Sequence, residues 1–247
     1  MKTATLFLSI SVSLFAFKAN SQSKFYISTE GNFNYDLYQV TDEGNSAGPP
    51  IFRLIAPPGA TFIAGYELNS IFSLETGIAI HPVKSGFSLV FSDHGSVSEG
   101  TYEGEYYHIP IRTRVRIPLF SDWLFATTSL GVQLSVTNPA QVGTTSTIDG
   151  SQGSSTINGD RLYSVSTQNT YYHKYYLTAS VETGFDFQIS PKFNMYSTFT
   201  YNRGFTDLRQ TDIQYQYKNE PEREASIFHQ GSYLSVNIGL RFHLNAG

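Results

Sequence analysis

The sequence predicts an all-β fold: an eight-stranded antiparallel up-and-down transmembrane β-barrel with short periplasmic turns and long extracellular loops. Three observations predict it. Apolar and polar residues alternate with a period of two along eight segments of the chain. Tight turns and long polar stretches join those segments in strict alternation. Aromatic residues, 17 Tyr and 19 Phe against only 15% charged residues, gather near the segment ends as interfacial girdles would.

The chain begins with Met1-Lys2, an apolar run from Leu6 to Phe17, and Ala19-Asn20-Ser21 before Gln22. A basic start, a short apolar core and a small-x-small site read as a secretory signal peptide over residues 1–21, with the barrel domain over 22–247. Cleavage after Ser21 would remove Lys2 and Lys18 and take the net charge from −4 to −6. An acidic balance of this kind argues against a nucleic-acid partner. No other stretch is apolar for the ~18 residues a spanning helix needs, so strands must make any crossing. Cysteine is absent, which excludes disulfides, a thiol nucleophile and a lipidated cysteine.

In the first strand Phe25, Ile27, Thr29, Gly31, Phe33, Tyr35 and Leu37 alternate with polar residues that include Glu30 and Asp36. Val40 to Pro50 is Gly/Pro-rich and reads as a loop. The second strand carries Ala60, Phe62, Ala64, Tyr66 and Leu68 with Glu67 on its other face. After the turn at Asn69-Ser70 the third carries Phe72, Leu74, Thr76, Ile78 and Ile80 with Glu75 opposed. His81-Pro82 breaks the phase, and a loop through Phe91 to Gly100 leads to the fourth strand, Tyr106 to Phe120. There Tyr107, Ile109, Ile111, Thr113, Val115, Ile117 and Leu119 form one face, and Arg112, Arg114 and Arg116 stand on the other.

Ser121-Asp122 turns the chain into the fifth strand, Leu124 to Val136. Thr137 to Asn169 follows, Ser/Thr/Gly-rich and without sustained period, which reads as a long mobile loop. The sixth strand runs from Tyr175 to Ile189 with Glu182 and Asp186 on its polar face. Ser190-Pro191-Lys192 is the third turn, and Phe193 to Tyr201 the seventh strand. Asn202 to Gln230 reads as the last long loop, with a charged tip at Lys218 to Glu224. Leu234 to Leu244 closes the chain, with Arg241 and His243 opposite its apolar column.

Alternation alone does not separate this barrel from a lipocalin, whose apolar residues point inward. Four features favour lipid outside: all long loops on one end, no terminal amphipathic helix, the aromatic ends (Phe72, Trp123, Phe187, Phe193 and Phe242 low; Tyr35, Tyr106, Tyr107, Tyr175 and Tyr201 high), and both signs of charge on the polar face. The lumen of an eight-stranded barrel is only wide enough for side chains. Arg112, Arg114, Arg116 and Arg241 would share it with Glu30, Glu67, Glu75, Glu182 and Asp186. Buried charges require partners, so a plugging salt-bridge network is expected, with Glu75 and Arg116 as neighbours near the turn end.

The signal ending Ala19-Asn20-Ser21-Gln22, the strand start Tyr107-His108-Ile109-Pro110-Ile111 before a basic segment, and the terminal Ser235 to Leu244 together resemble the small outer-membrane β-barrel proteins of Bacteroidota, porin-family or PorT-like, with the architecture of OmpA/OmpX transmembrane domains. The resemblance covers nearly the whole mature chain. It implies an outer-membrane location and assembly guided by the C-terminal strand through the barrel assembly machinery. The usual final aromatic is replaced here by His243 to Gly247 after Phe242.

Chemistry is sparse. His81, His94, His108, His173, His229 and His243 form no metal-ligand spacing, and no cofactor or metal is expected. Asp93-His94 reads as solvated loop rather than half of a hydrolytic dyad. Asp149 to Asp160 lacks calcium-loop spacing. The leading reading is a non-enzymatic barrel anchored in outer-membrane lipid, whose loops contact an extracellular ligand or envelope partner, or support envelope integrity. Tyr163, Tyr171 and Tyr172 with Glu220, Glu222 and Glu224 are the surface candidates. A secretion or assembly accessory, a small pore and a lipid-modifying enzyme are the alternatives.

Overall fold

A computed structural model describes residues 24–49, 58–91, 95–121, 123–137, 145–148, 163–217 and 220–244. The expected signal peptide, Asp93-His94 and the stretch Asp149 to Asp160 lie outside the described residues. The strands are β1 (Lys24–Asp42), β2 (Ala47–Gly48), β3 (Gly59–Glu67), β4 (Phe72–Phe91), β5 (Gly95–Ser121), β6 (Leu124–Val136), β7 (Thr145–Ile148), β8 (Tyr163–Tyr171), β9 (Tyr175–Ser190), β10 (Phe193–Gly204), β11 (Arg209–Tyr217) and β12 (Arg223–His243). Eight of them, β1-β3-β4-β5-β6-β9-β10-β12, form an antiparallel ring that closes where β12 returns to β1. At the seam Ser28 faces Arg241 and Asn32 faces Asn237, and the Leu244 amide donates to the Phe25 carbonyl. Closure pairs every strand on both sides, which is what lets a sheet sit in hydrocarbon.

The lower half of the ring has the inside-out pattern of a membrane wall. On β12 the side chains of Ser235, Asn237, Arg241 and His243 are buried in the lumen, while Val236, Ile238, Leu240 and Phe242 are exposed. The same inversion runs around the ring, with Ile27, Phe62, Ile78, Ile111, Leu130, Val181 and Phe199 all facing outward. Lipid is the solvent that makes such a surface stable.

A membrane strand needs about 9–11 residues, yet β1, β4, β5 and β12 have 19, 20, 27 and 21. Their surplus rises above the wall at the end opposite the tight turns. There the pattern reverses without a change of phase. On β12 the same inward column becomes apolar, with Ala225 and Ile227 buried. Those residues pack with Phe87, Leu89, Val165, Ile213 and Tyr215 into a dry core flanked by Tyr38, Ala47 and Tyr217. Above the ring the strands form a small β-sandwich around this core, with β2-β4-β5 facing β1-β12-β11-β8-β7.

This head corrects several expectations. His81-Pro82 does not end a strand, because β4 continues through a bulge at Val83/Lys84 to Phe91. β5 resumes at Gly95, so most of the expected loop there is hairpin. The tract from Thr137 to Asn169, expected as a mobile loop, contributes β7 and most of β8. Asn202 to Gln230 contributes the end of β10, all of β11 and the start of β12. The missed strands are short and polar on their outer face, so they lack the long apolar alternation of the wall strands, and pairing partners supply the order. Tyr106, expected in the upper girdle, points into the lumen and is buried, whereas Tyr35, Tyr107, Tyr175 and Tyr201 face outward.

The place where polarity reverses is testable. Ile238→Arg on the lipid face is expected to cost about 2–4 kcal/mol of stability in bilayers. Ser226→Arg, twelve residues earlier on the same outward column, is expected to be nearly neutral, read by urea unfolding in lipid vesicles.

Candidate functional site

The lumen is held by cross-strand geometry. Glu75 on β4 lies directly opposite Arg112 on β5. Arg112 is bonded through Nε to Glu75, through Nη1 to Glu182 at 2.8 Å and through Nη2 to Glu30 at 3.0 Å. Three strands other than its own are therefore tied to one guanidinium. Arg241 reaches Asp186 and lies 3.6 Å from Glu75, while Arg114 stands 3.5 Å from Glu75 and 3.8 Å from Asp186. Tyr26 donates to Glu75 at 2.6 Å and Tyr196 to Glu30 at 3.0 Å.

Four arginines meet four carboxylates in this layer, so the low-dielectric interior carries no net charge. Arg116 departs from the expected pairing. It lies 3.7 Å from Asp186, donates to Gln188 and covers the Phe125 ring, while Glu75 goes to Arg112 because the register puts those two face to face. Glu67 sits lower, 3.4 Å from His243.

Two glycines make room for the layer. Gly65 faces Tyr26 and Gly239 faces Tyr196 across adjacent strands, and a Cβ at either would lie about 2 Å from the tyrosine ring. Above Arg112 remains a cavity of about 40 Å³ lined by Glu30, Asn32, His81, His108, Gln133 and Tyr233. At roughly 10–15 Å³ per site, it holds a few waters rather than a solute.

The ceiling of that cavity was not anticipated from sequence. Asp36 on β1 lies 3.3 Å from His81 Nε2 of β4 and 3.7 Å from His229 Nε2 of β12, all three side chains nearly enclosed. Asp36 sits at the β1–β12 register shift, where extra β12 residues around Gly231 mark the passage from ring to sandwich. Tyr233 stacks edge-on against His81, and His108 contacts Ser135 at 2.6 Å. Both members of that Ser-His pair have no exposed surface, so no substrate reaches them. Among the described residues no three His, Asp or Glu surround a metal position.

The surface candidates separate into two places. Tyr171 and Tyr172 lie low, where β8 meets β9; Tyr172 is exposed and donates to Gln210. Tyr163 pairs in register with Tyr217 near the far tip of the head, and its side chain is outside the described set. Glu220, Glu222 and Glu224 are exposed at that tip, where Glu220 pairs with Arg223 at 3.1 Å and Glu224 accepts from Gln214. Next to them a cleft of about 380 Å³ is lined by Asn45, Ser46, Val90, Tyr215, Tyr217, Glu220 and Arg223.

One wall of the cleft is a turn built on Asp42. Its carboxylate accepts from the amides of Gly44, Ser46 and Ala47 and from Tyr215 Oη at 2.8 Å. Partial burial raises the Asp42 pKa, but those donors outweigh it and hold the group below its usual range.

The matching family model is the outer membrane protein beta-barrel domain, over residues 3–214. The chain belongs to that family, and its place is the outer membrane. OprG from Pseudomonas aeruginosa is similar at 11% identity over 90% of this chain and 97% of that one, with a TM-score of 0.47. A major outer membrane protein from Thermus thermophilus is 9% identical over 91% and 100%, with a TM-score of 0.45. Neisserial surface protein A is 10% identical over 90% and 99%, with a TM-score of 0.42. No curated protein matches the sequence.

Two outcomes test the site. Arg112→Met leaves Glu30 without a cation and removes the closest one from Glu75 and Glu182, and is expected to lose about 3–5 kcal/mol, seen as a lower temperature for the heat-modified gel shift. For Asp42, a depressed carboxyl stabilises its turn above about pH 4 and loses that contribution as pH falls. Amide exchange at Gly44, Ser46 and Ala47, corrected for intrinsic rates, is therefore expected to accelerate in acid in the wild type and to be fast at all pH in Asp42→Asn.

Proposed function

We propose that this outer-membrane protein is a non-enzymatic anchor: a closed barrel that holds a rigid β-sandwich outside the cell, whose tip binds an extracellular ligand or partner. The observation that carries the reading is the continuity of β1, β4, β5 and β12 from the charged lumen into the apolar core of the head. A head built on uninterrupted strands is fixed in orientation, as a binding platform requires. Barrels of this type keep short turns in the periplasm and extensions outside, so the sandwich faces the environment. The cleft beside Tyr217, Glu220 and Arg223 combines an aromatic face and both charges in one concavity. The barrel assembly machinery and surrounding lipid are its envelope partners in this reading.

The filled lumen supports a closed barrel over a small pore. Purified protein in planar bilayers is expected to show no stable single-channel conductance, and a large steady conductance would overturn the anchor reading. Replacing Tyr217, Glu220 and Arg223 by Ala is expected to abolish surface adhesion while heat-modifiable migration and protein secretion stay unchanged. A secretion defect in that variant would instead favour an accessory role.

A further inference from the structure

The cleft at the tip lies between two walls of fixed shape. One wall is the Asp42 turn, in which Asn45 takes a left-handed conformation with φ of 52° and Ser46 Oγ donates to the Gly44 carbonyl. The other is the end of the β11–β12 hairpin, where Tyr215 pairs in register with Arg223. Gly44 lets them meet, since a Cβ there would lie 2.2 Å from Tyr215 Oη and 2.8 Å from Arg223 Nη1. The hairpin turn is tied in its own right. The Glu220 amide donates to the Tyr217 carbonyl, and Gln216 Nε2 donates to the Glu220 carbonyl. Both walls are ordered without a ligand, which lowers the entropy cost of binding one.

The lining has an apolar part and a polar part. Tyr217 packs against the sandwich core and stays half-buried, so packing sets the position of a ring that still lines the cleft. Val90, which is 56% exposed, belongs to the same lining. With them stand Asn45, Ser46, Glu220 and Arg223. A concavity of about 380 Å³ falls in the size range of small-molecule sites rather than of flat protein–protein contacts.

The charges of the cleft are matched within the protein. Glu220 lies 3.1 Å from Arg223, and Asp42 accepts from three backbone amides and from the Tyr215 hydroxyl. A charged ligand would have to compete with the Glu220–Arg223 pair. Hydroxyl groups would not, because a guanidinium and a carboxylate each keep donors or lone pairs beyond those that one ion pair uses. A hydroxyl both donates and accepts, so it can serve either partner.

We propose that the tip cleft binds an uncharged saccharide, with one face of a sugar ring against Tyr217 and its hydroxyls on Glu220, Arg223 and Asn45. A sugar ring joins an apolar C–H face to a polar rim, and an aromatic ring among charged and amide groups matches both. The saccharide site rests on the tip being the binding surface proposed above.

Labelled protein, folded in a detergent without sugar headgroups, is laid on an array of uncharged, carboxylated and sulfated oligosaccharides, and the strongest binders are titrated. Binding is expected on uncharged saccharides and should survive about 1 M salt, which screens the attraction of an anionic ligand. Tyr217→Ala and Arg223→Ala should each weaken binding about tenfold, as the loss of one well-placed contact does. Tyr217→Phe, which keeps the ring, and Gln168→Ala, on the exposed face of β8, should bind as the wild type does. Heat-modifiable migration checks the barrel of each variant, and slow amide exchange at Gly44, Ser46 and Ala47 checks its head. Absence of binding to uncharged saccharides, binding confined to carboxylated or sulfated ones, or unchanged binding by Tyr217→Ala or Arg223→Ala would each overturn the proposal. Should it fall while the triple alanine variant still abolishes surface adhesion, the tip binds a ligand of another class; if adhesion is unchanged as well, the platform reading falls with it.

Discussion

Arg112 binds Glu75, Glu182 and Glu30 at once, and the closed lumen depends on that arrangement. A guanidinium presents donors in a fixed planar fork, so it can span three strands where an ammonium would not. Each carboxylate is anchored again, by Tyr26, Tyr196, Ser129 or Thr200, and cannot swing away. Cross-linking of β1, β4 and β9 through β5 makes the lower barrel a plugged cylinder rather than a tube.

That rigidity carries upward because the strands do not stop at the membrane. The inward column of β12 runs from Arg241 through Asn237 and His229 to Ile227 without changing face. Only the solvent outside changes, from lipid to water, and the chemistry inside changes in compensation. Between the two regimes lies the Asp36, His81 and His229 cluster, polar as the lumen is but enclosed by the aromatic rings of Tyr38 and Tyr233. It joins β1, β4 and β12, the strands that bear the head.

The wall is uneven. β1, β4, β5 and β12 rise unbroken, whereas β9 and β10 stop at the girdle and continue only after a bend into β8 and β11. The bend exposes Tyr172 and Phe205, while the tip, well above it, exposes Glu220, Glu222 and Glu224.

Strand alternation, tight turns and the arginine column were legible in the sequence because membrane strands must place apolar residues on every second position for their full length. The ring of eight strands and their order followed from that. The sequence also shows that its charges must pair, but pairing depends on register, and Arg112 rather than Arg116 opposes Glu75 only once β4 and β5 are aligned. The head was hidden for a different reason. Phe87, Leu89, Ile213 and Ile227 are distant in sequence, and their short alternations resemble loop composition until the sandwich brings them together. The chain by itself determined which residues face lipid; only the tertiary structure decided where lipid ends, because that boundary is set by which strands meet above it.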